Sequence, residues 1–352
     1  MDGTSSYLQT LVGLCPRLHP KYKNFLHIRM SSFSAFHRRG AALYGTAKKH
    51  VYASPTPKYF TLPRYNEPEV KDAAVVLVFF NPAQSVRIVQ NLMMVKSLLE
   101  AAHIPTFIGE IAHNDRPFVL PTSPHVFQFR TESIMFYKEN LITVVERYLP
   151  SIYTKIIALD ADVVFEDPDW YRVFSAALDT VDICQGYRYA QYLKLDFSYS
   201  EEKMGAVVSP HGHTGFAWGF QRSWFRSPGL FEYALTGGGD TMFFAQIRTY
   251  DPRRIFPAYA ADFKDHPRTS TTTSIGFADL RVFHLPHGSK NNRQYMERHD
   301  MLVAKLRELE ITRLSDAVER RTDGIFEWKP AYREALNAVL LSYFRARKDD
   351  GV

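Results

Sequence analysis

Cysteine is scarce in this chain of 352 residues, which contains only Cys15 and Cys184. Two cysteines so far apart form neither a disulfide framework nor the spacing of a zinc site, so we expect no need for an oxidising compartment. Long hydrophobic runs are also lacking, because the longest apolar stretches have only the length of a β-strand. The first residues show no basic region followed by a continuous apolar one. We therefore expect no secretory signal, no membrane span and a cytoplasmic location.

Acidic residues are nearly absent from the first 66 residues, where Asp2 is outnumbered by ten lysines and arginines. This region therefore carries a net charge of +9, which leaves −3 for the remainder because the whole chain carries +6. We expect a solvated, partly flexible arm. Peripheral contact with anionic lipid, binding of an anionic acceptor and organelle targeting are the functional alternatives. We expect no nucleic-acid partner.

The overall composition excludes the disordered and fibrous classes, because 45% of the residues are hydrophobic and 23% are charged. No internal repeat or low-complexity segment is present, and the length suits one large α/β domain with additions. The proline-rich stretch Tyr52–Val70 marks a boundary. We predict a basic extension and linker over residues 1–70, a central domain over 71–310 and a C-terminal helical extension over 311–352.

Strands and helices alternate after this boundary. The run Ala74–Phe80 is continuously apolar and ends at Asn81-Pro82, which is typical of a buried parallel strand followed by a loop. The cycle of strand and helix then repeats, and such repeats build right-handed βαβ units. The predicted strands cover residues 74–80, 104–111, 126–130 and 155–165, with helices over 85–103 and about 133–148. The sequence therefore predicts an α/β fold with a mostly parallel sheet flanked by helices.

The predicted strand over residues 155–165 is interrupted by Asp160 and Asp162. Two carboxylates one residue apart repel each other, so a fold keeps them at a strand end mainly where a cation, usually a divalent metal, lies between them. The carboxyl ends of parallel strands are also where open α/β sheets bind ligands. An isolated D-x-D is explained equally well as a helix cap or a binder of backbone amides.

A phosphatase of the haloacid dehalogenase type is one alternative for this motif, with Asp160 as the nucleophile. Such an enzyme needs a later acidic pair to complete its magnesium site, but the best candidate segment offers only Asp240. Its motif also normally opens the first strand of the domain, whereas several strand-helix units precede Asp160 here. A non-catalytic sugar-binding or nucleotide-binding module is the other alternative.

A glycine-rich segment, Gly212–Phe244, contains three glycines at 237–239 directly before Asp240. Glycines let backbone and ligand approach closely, and the dipole of a following helix favours an ionised carboxylate at its N-terminus. Together with the D-x-D motif, this segment resembles the GT-A glycosyltransferases, and the resemblance extends over Ala74–Arg298. It implies that a sugar is transferred from a nucleoside diphosphate sugar to an acceptor hydroxyl, with inversion and with Asp240 as the general base. The alternative is a purely structural role, in which the glycines form a turn and Asp240 caps the following helix.

In the segment Val282–Tyr295, His287 or His284 occupies the place of the histidine that GT-A enzymes often carry downstream of the base. The resemblance implies that Mn²⁺ or Mg²⁺ is bound by Asp162 and His287, with Asp160 reaching the metal through water or holding the ribose. Neutral imidazole is a good ligand for such a metal. His284 lies between two apolar residues, and we interpret it as a core histidine.

The resemblance also implies a set of residues that contact the nucleotide sugar. They are Asn81, Lys138, Asp160, Ala161, Lys290 and Arg293. Lys290 and Arg293 are expected at the diphosphate oxygens, and Asn81 near the nucleoside base. A loop-capping role for Asn81 and a solvated helix-face position for Lys138 are the alternatives. The expected partners are the nucleotide-sugar donor and a glycan or other hydroxyl acceptor.

Overall fold

The computed structural model describes residues 58–248, 256–267, 272–289 and 291–351. One compact unit comprises Tyr59–Phe118 and Thr122–Val352. A second unit comprises Met1–Lys58 and Val119–Pro121, and of it only Lys58 and the three residues of the second segment are described. The predicted basic arm thus lies outside the described residues as far as residue 57. The predicted boundaries at 70 and 310 stay predictions, and the described part of 311–352 packs within the first unit.

Thirteen strands are present in the described part of the chain. In chain order they are β1 Ala73–Phe80, β2 Thr106–His113, β3 Val126–Thr131, β4 Lys155–Leu159, β5 Val163–Phe165, β6 Ile183–Gln185, β7 Tyr189–Leu193, β8 Tyr199–Met204, β9 Ala217–Gln221, β10 Ile275–Phe277, β11 Arg281–His284, β12 Val318–Arg320 and β13 Phe326–Trp328.

Nine α-helices accompany these strands within the described residues. They are α1 Val86–Ala101, α2 Lys138–Glu146, α3 Trp170–Leu178, α4 Arg222–Phe225, α5 Gly239–Ile247, α6 Ala260–Asp265, α7 Glu297–Glu308, α8 Leu314–Ala317 and α9 Pro330–Ala346. Over the residues that the structure describes, no helix combines the length and the apolar character needed to cross a bilayer.

The central sheet has seven strands in the order β10-β6-β9-β4-β1-β2-β3. All neighbouring pairs are parallel except the two that involve β9, which runs antiparallel between β4 and β6. The strand β1 lies in the middle of the parallel part, and its side chains are almost entirely buried. Its continuous apolar sequence is what burial on both faces requires. The predicted α/β fold with a mostly parallel sheet flanked by helices is therefore confirmed.

Helices from the last part of the chain complete the core. A large buried cluster includes Leu302 on α7 and Leu336 and Leu340 on α9, together with Leu141 and Val144 on α2. The predicted C-terminal helix therefore packs against the same body as the sheet rather than projecting from it.

A second sheet of four strands has the order β5-β11-β7-β8. The prediction of one continuous strand over residues 155–165 is wrong, because the chain leaves the central sheet at Asp160 and enters the second sheet at Val163. The amide of Val163 donates to the carbonyl of Asp160 at 3.1 Å, and this tight turn separates β4 from β5. In the second sheet, β5 runs antiparallel to β11 with Val163 opposite His284. The break therefore brings the D-x-D motif next to the end of β11.

Candidate functional site

A cavity of about 570 Å³ opens at the carboxyl ends of β1 and β4. Every predicted site residue that is described lines it: Asn81, Lys138, Asp160, Ala161, Asp162, Asp240, His287 and Arg293. Lys290 lies outside the described residues. Ligands of open α/β sheets bind in this position because the loops after neighbouring parallel strands meet there. We refer to this cavity as the cleft.

Asp162, His284 and His287 form a group in the cleft that could hold a metal ion, with one ligand atom from each lying within 4.8 Å of the others. The Nε2 atom of His287 lies 2.6 Å from Oδ2 of Asp162, and that of His284 lies 3.5 Å from the same oxygen. Burial acts to raise the pKa of Asp162, but the two imidazoles outweigh it and hold that pKa well below its usual value. The carboxylate is therefore ionised at neutral pH.

His284 is buried, as the interpretation of a core histidine requires, yet it also belongs to this group. Its ring packs beside Tyr192 and Phe216, at centroid distances of 5.1 and 4.9 Å. Burial lowers the pKa of His284 to about 4, so its imidazole is neutral at pH 7 and offers a lone pair. The H-x-x-H spacing of His284 and His287 at the end of an apolar strand is a sequence signal that could identify this second histidine.

His287 has two further partners besides Asp162. Its Nδ1 atom lies 3.0 Å from Oδ1 of Asp349, and its Nε2 atom lies 2.6 Å from Nη2 of Arg293. Burial acts to raise the pKa of Asp349, but the hydrogen bond to His287 and the charge of Arg347 outweigh it and lower that pKa. Sequence reasoning missed Asp349, because nothing local in the sequence after α9 points to the cleft.

Asp160 makes a different contact from Asp162. Its Oδ1 atom lies 2.6 Å from Nζ of Lys138, and the same Nζ lies 2.8 Å from Oδ1 of Asp240. Burial raises the pKa of Asp160 to about 7, although the charge of Lys138 opposes this. The structure thus brings Asp160 to Lys138 and Asp240, and does not bring it into the group with the two histidines. Its predicted metal role stays a prediction.

The glycine-rich turn before α5 directs Asp240 into the cleft. Gly237 and Gly238 have φ angles of 89° and 87°, in the left-handed region that favours glycine. Gly239, which begins α5, lies so close to Glu139 that an added Cβ would be 1.9 Å from the Oε1 atom of that side chain. Burial raises the pKa of Glu139 to about 8, against the opposing charge of Lys138. Glu139 is therefore largely protonated beneath the start of α5 at neutral pH.

The side chain of Asn81 caps the loop after β1. Its Nδ2 donates to the carbonyl of Ser85 at 2.8 Å, and its Oδ1 accepts from the Ser85 amide at 2.9 Å. These are the contacts of the loop-capping alternative. Asn81 also lines the cleft, so its contact with the nucleoside base stays a prediction.

No family model matches the sequence. No curated protein matches it either. Among solved structures, the chain is similar to glucosyl-3-phosphoglycerate synthase from Mycobacterium tuberculosis in complex with Mn²⁺, uridine diphosphate and phosphoglyceric acid, with 10% identity over 78% of this chain and 95% of that one, at a TM-score of 0.36. It is also similar to the catalytic domain of Drosophila β1,4-galactosyltransferase 7 in complex with xylobiose.

For the Drosophila enzyme the identity is 13% and the TM-score 0.31; the match covers 59% of this chain and 65% of that one, which is just under two thirds. Mouse xyloside xylosyltransferase 1 gives 12% identity over 62% of this chain and 98% of that one, at a TM-score of 0.29. These proteins are glycosyltransferases by name or title, which is the group that the sequence motifs resemble. Structural likeness at such TM-scores does not by itself identify a function.

Proposed function

We propose that this protein is a metal-dependent glycosyltransferase that moves a sugar from a nucleoside diphosphate sugar to an acceptor hydroxyl with inversion. The observation that carries the proposal is the 2.6 Å approach of Asp162 and His287, which are far apart in sequence, in the same cleft as Asp240. A carboxylate and two imidazoles around one point are a binding site for a cation. The carboxylate of Asp240, in the first turn of α5, supplies a base.

The donor set fits a divalent metal. One ionised carboxylate oxygen and two imidazole nitrogens suit Mn²⁺ by ligand type, and the lowered pKa values of Asp162 and His284 keep both groups unprotonated at neutral pH. Mn²⁺ or Mg²⁺ held by these residues supplies positive charge that stabilises the departing diphosphate. Arg293, next to His287, adds a guanidinium that hydrogen-bonds phosphate oxygens well.

Asp240 accepts the acceptor's proton in this proposal. The acceptor oxygen forms a bond to the anomeric carbon, the bond from that carbon to the diphosphate breaks, and the hydroxyl proton passes to Asp240. A carboxylate is a sufficient base because the proton leaves only as the new bond forms. Lys138 holds Oδ1 of Asp240 at 2.8 Å, which fixes the orientation of the carboxylate. Attack from the face opposite the diphosphate inverts the anomeric centre.

A thermal-shift panel of nucleoside diphosphate sugars, each with and without Mn²⁺, tests this proposal. We expect the nucleotides of one base to raise the melting temperature, and to raise it more when Mn²⁺ is present. The variant His287→Ala should lose the additional shift that Mn²⁺ produces. If none of the nucleotide sugars stabilises the protein under either condition, the proposal is wrong.

A further inference from the structure

The segment Arg347–Gly351, which we call the return segment, follows α9 and runs back into the cleft. Asp349 is only 4% exposed, and its Oδ1 atom lies 3.0 Å from Nδ1 of His287. Arg347 supports the same carboxylate, with its Nε atom 3.2 Å from Oδ2 of Asp349. A buried carboxylate on a non-helical segment thus contacts the far side of a proposed metal ligand.

Specific contacts hold the return segment in this place. The amide of Gly288 donates to the carbonyl of Asp349 at 2.9 Å. The next residue, Asp350, accepts from the hydroxyl of Ser85 at 2.7 Å and from the amide of Arg87 at 2.8 Å. Gly288 has a φ of 60°, and an added Cβ there would lie 2.8 Å from the carbonyl oxygen of Arg347. The segment therefore packs directly on the loop that carries His287.

The contact decides which nitrogen of His287 is available to a cation. A carboxylate accepts a hydrogen bond, so Asp349 favours the proton on Nδ1 of His287. The lone pair then resides on Nε2, which lies 2.6 Å from Oδ2 of Asp162 and 2.6 Å from Nη2 of Arg293. The guanidinium of Arg293 is thus the positive charge beside Nε2 in this structure, and a bound cation would replace that contact. Metal-binding histidines commonly donate their other ring N–H to a carboxylate, which fixes both the tautomer and the orientation of the ring.

We propose that Asp349 is a positioning residue for divalent-metal binding, and that the return segment thereby completes the metal site. This inference rests on the proposed function in that it takes Asp162 and His287 as metal ligands. It adds that a carboxylate about sixty residues later in the chain sets the affinity of those ligands. Asp349 contacts the imidazole of His287, and it affects metal binding only through that contact.

Titration of the protein with Mn²⁺ alone, followed by the electron paramagnetic resonance signal of free Mn²⁺, tests the inference. We expect Asp349→Asn to weaken Mn²⁺ binding by about ten- to hundredfold, as for other partners of metal-binding histidines. Asp350→Asn is the matched control, because it removes the neighbouring negative charge but keeps an amide oxygen that can accept from Ser85 and Arg87. This control should bind Mn²⁺ as the unmodified protein does.

The outcomes separate the inference from the proposed function. Equal Mn²⁺ affinity in Asp349→Asn and the unmodified protein overturns the inference and leaves the proposed function standing. Equal losses of Mn²⁺ affinity in Asp349→Asn and Asp350→Asn also overturn the inference. In that case the packing of the return segment on the cleft, and not the contact of Asp349 with His287, explains the effect. Absence of Mn²⁺ binding by the unmodified protein overturns both. Asp349→Glu keeps the charge beside Arg347 and covers the case in which Asp349→Asn does not fold. We expect it to weaken Mn²⁺ binding severalfold, and unchanged affinity in this variant contradicts the inference.

Discussion

The two aspartates of the D-x-D motif have opposite electrostatic environments although one residue separates them. Asp162 faces two imidazoles, which lower its pKa against the effect of burial. Asp160 is half-buried near Asp240, and desolvation raises its pKa to about 7 despite its contact with Lys138. Divergent pKa values of neighbouring carboxylates commonly mark different chemical roles. These environments favour Asp162 as the metal ligand in our proposal, whereas the contact that Asp160 makes is with Lys138.

Replacement of Asp240 tests the proposed base. We expect Asp240→Asn to reduce turnover by about 10²- to 10⁴-fold, because the amide cannot accept the acceptor's proton. Nucleotide binding in the presence of Mn²⁺ should persist, because the metal ligands are untouched. Initial rates of nucleoside diphosphate release and a binding titration measure the two effects, with Asp300→Asn on the surface of α7 as the control. A variant that retains full turnover rules out Asp240 as the base.

The buried Glu139 gives a prediction about pH. Burial raises its pKa from the usual 4.5 to about 8. Between these values the unfolded chain loses the proton while the folded protein keeps it, so this residue disfavours folding increasingly as the pH rises. Glu139→Gln stays neutral in both states. We therefore expect the free energy of unfolding of the variant, minus that of the unmodified protein, to increase as the pH rises from about 5 to 8. The increase is at most about 1.4 kcal/mol per pH unit.

Urea unfolding at several pH values measures this difference for Glu139→Gln. The matched control is Glu308→Gln at the end of α7, where the carboxylate is exposed and ion-paired with Lys305. The free energy of unfolding of the control should differ from that of the unmodified protein by the same amount at every pH. A difference for Glu139→Gln that is equally independent of pH contradicts the buried, protonated state.

At the scale of elements, the positions of β1 to β4 follow from local sequence pattern, whereas the strand order and the ends of some elements depend on distant residues. The predicted helix over about 133–148 begins only at Lys138. Before it, the amide of Ile134 donates to Oδ1 of Asn337 on α9 at 2.7 Å, and the hydroxyl of Ser133 accepts from the amide of Trp328 at 2.9 Å. These tertiary hydrogen bonds replace the first helical turn, and a single sequence contains no sign of them.

The antiparallel strand β9 matters for the cleft, because the residue before it, Phe216, accepts from the amide of Asp160 at 2.8 Å. Gly219 on β9 leaves space for α3, and an added Cβ would lie 2.6 Å from Cε2 of Phe174 and 2.7 Å from Cδ1 of Leu178. We expect Gly219→Ala to lower the free energy of unfolding by about 1–3 kcal/mol through overpacking.

The double variant Gly219→Ala with Phe174→Leu checks the cause of this destabilisation. If the added methyl group clashes with the ring, the two effects on unfolding are not additive, and the double variant is more stable than their sum predicts. Strict additivity in urea unfolding contradicts the proposed packing of β9 against α3.

At the scale of the molecule, the candidate site combines segments that are remote in the chain. The D-x-D motif, the glycine-rich turn and His287 each carried a local signal, and the structure brings all three to one cleft. The apolar neighbours of His284 in sequence indicate a core position, yet alternate residues of a strand face opposite sides. Asp349 reaches the site only because α9 packs on the sheet and the chain then turns back. Such contacts depend on tertiary packing, so the sequence pattern could not reveal them.

The position of the bound cation is the sharpest test of the proposed metal site. Crystals grown with Mn²⁺ and a nucleoside diphosphate, measured at the absorption edge of manganese, locate the ion by its anomalous scattering. We predict one strong peak within coordination distance of Oδ2 of Asp162 and Nε2 of His287, inside the cleft that Asp240 lines. A peak at another place on the protein, with none between Asp162 and His287, contradicts the assignment of these two residues as metal ligands.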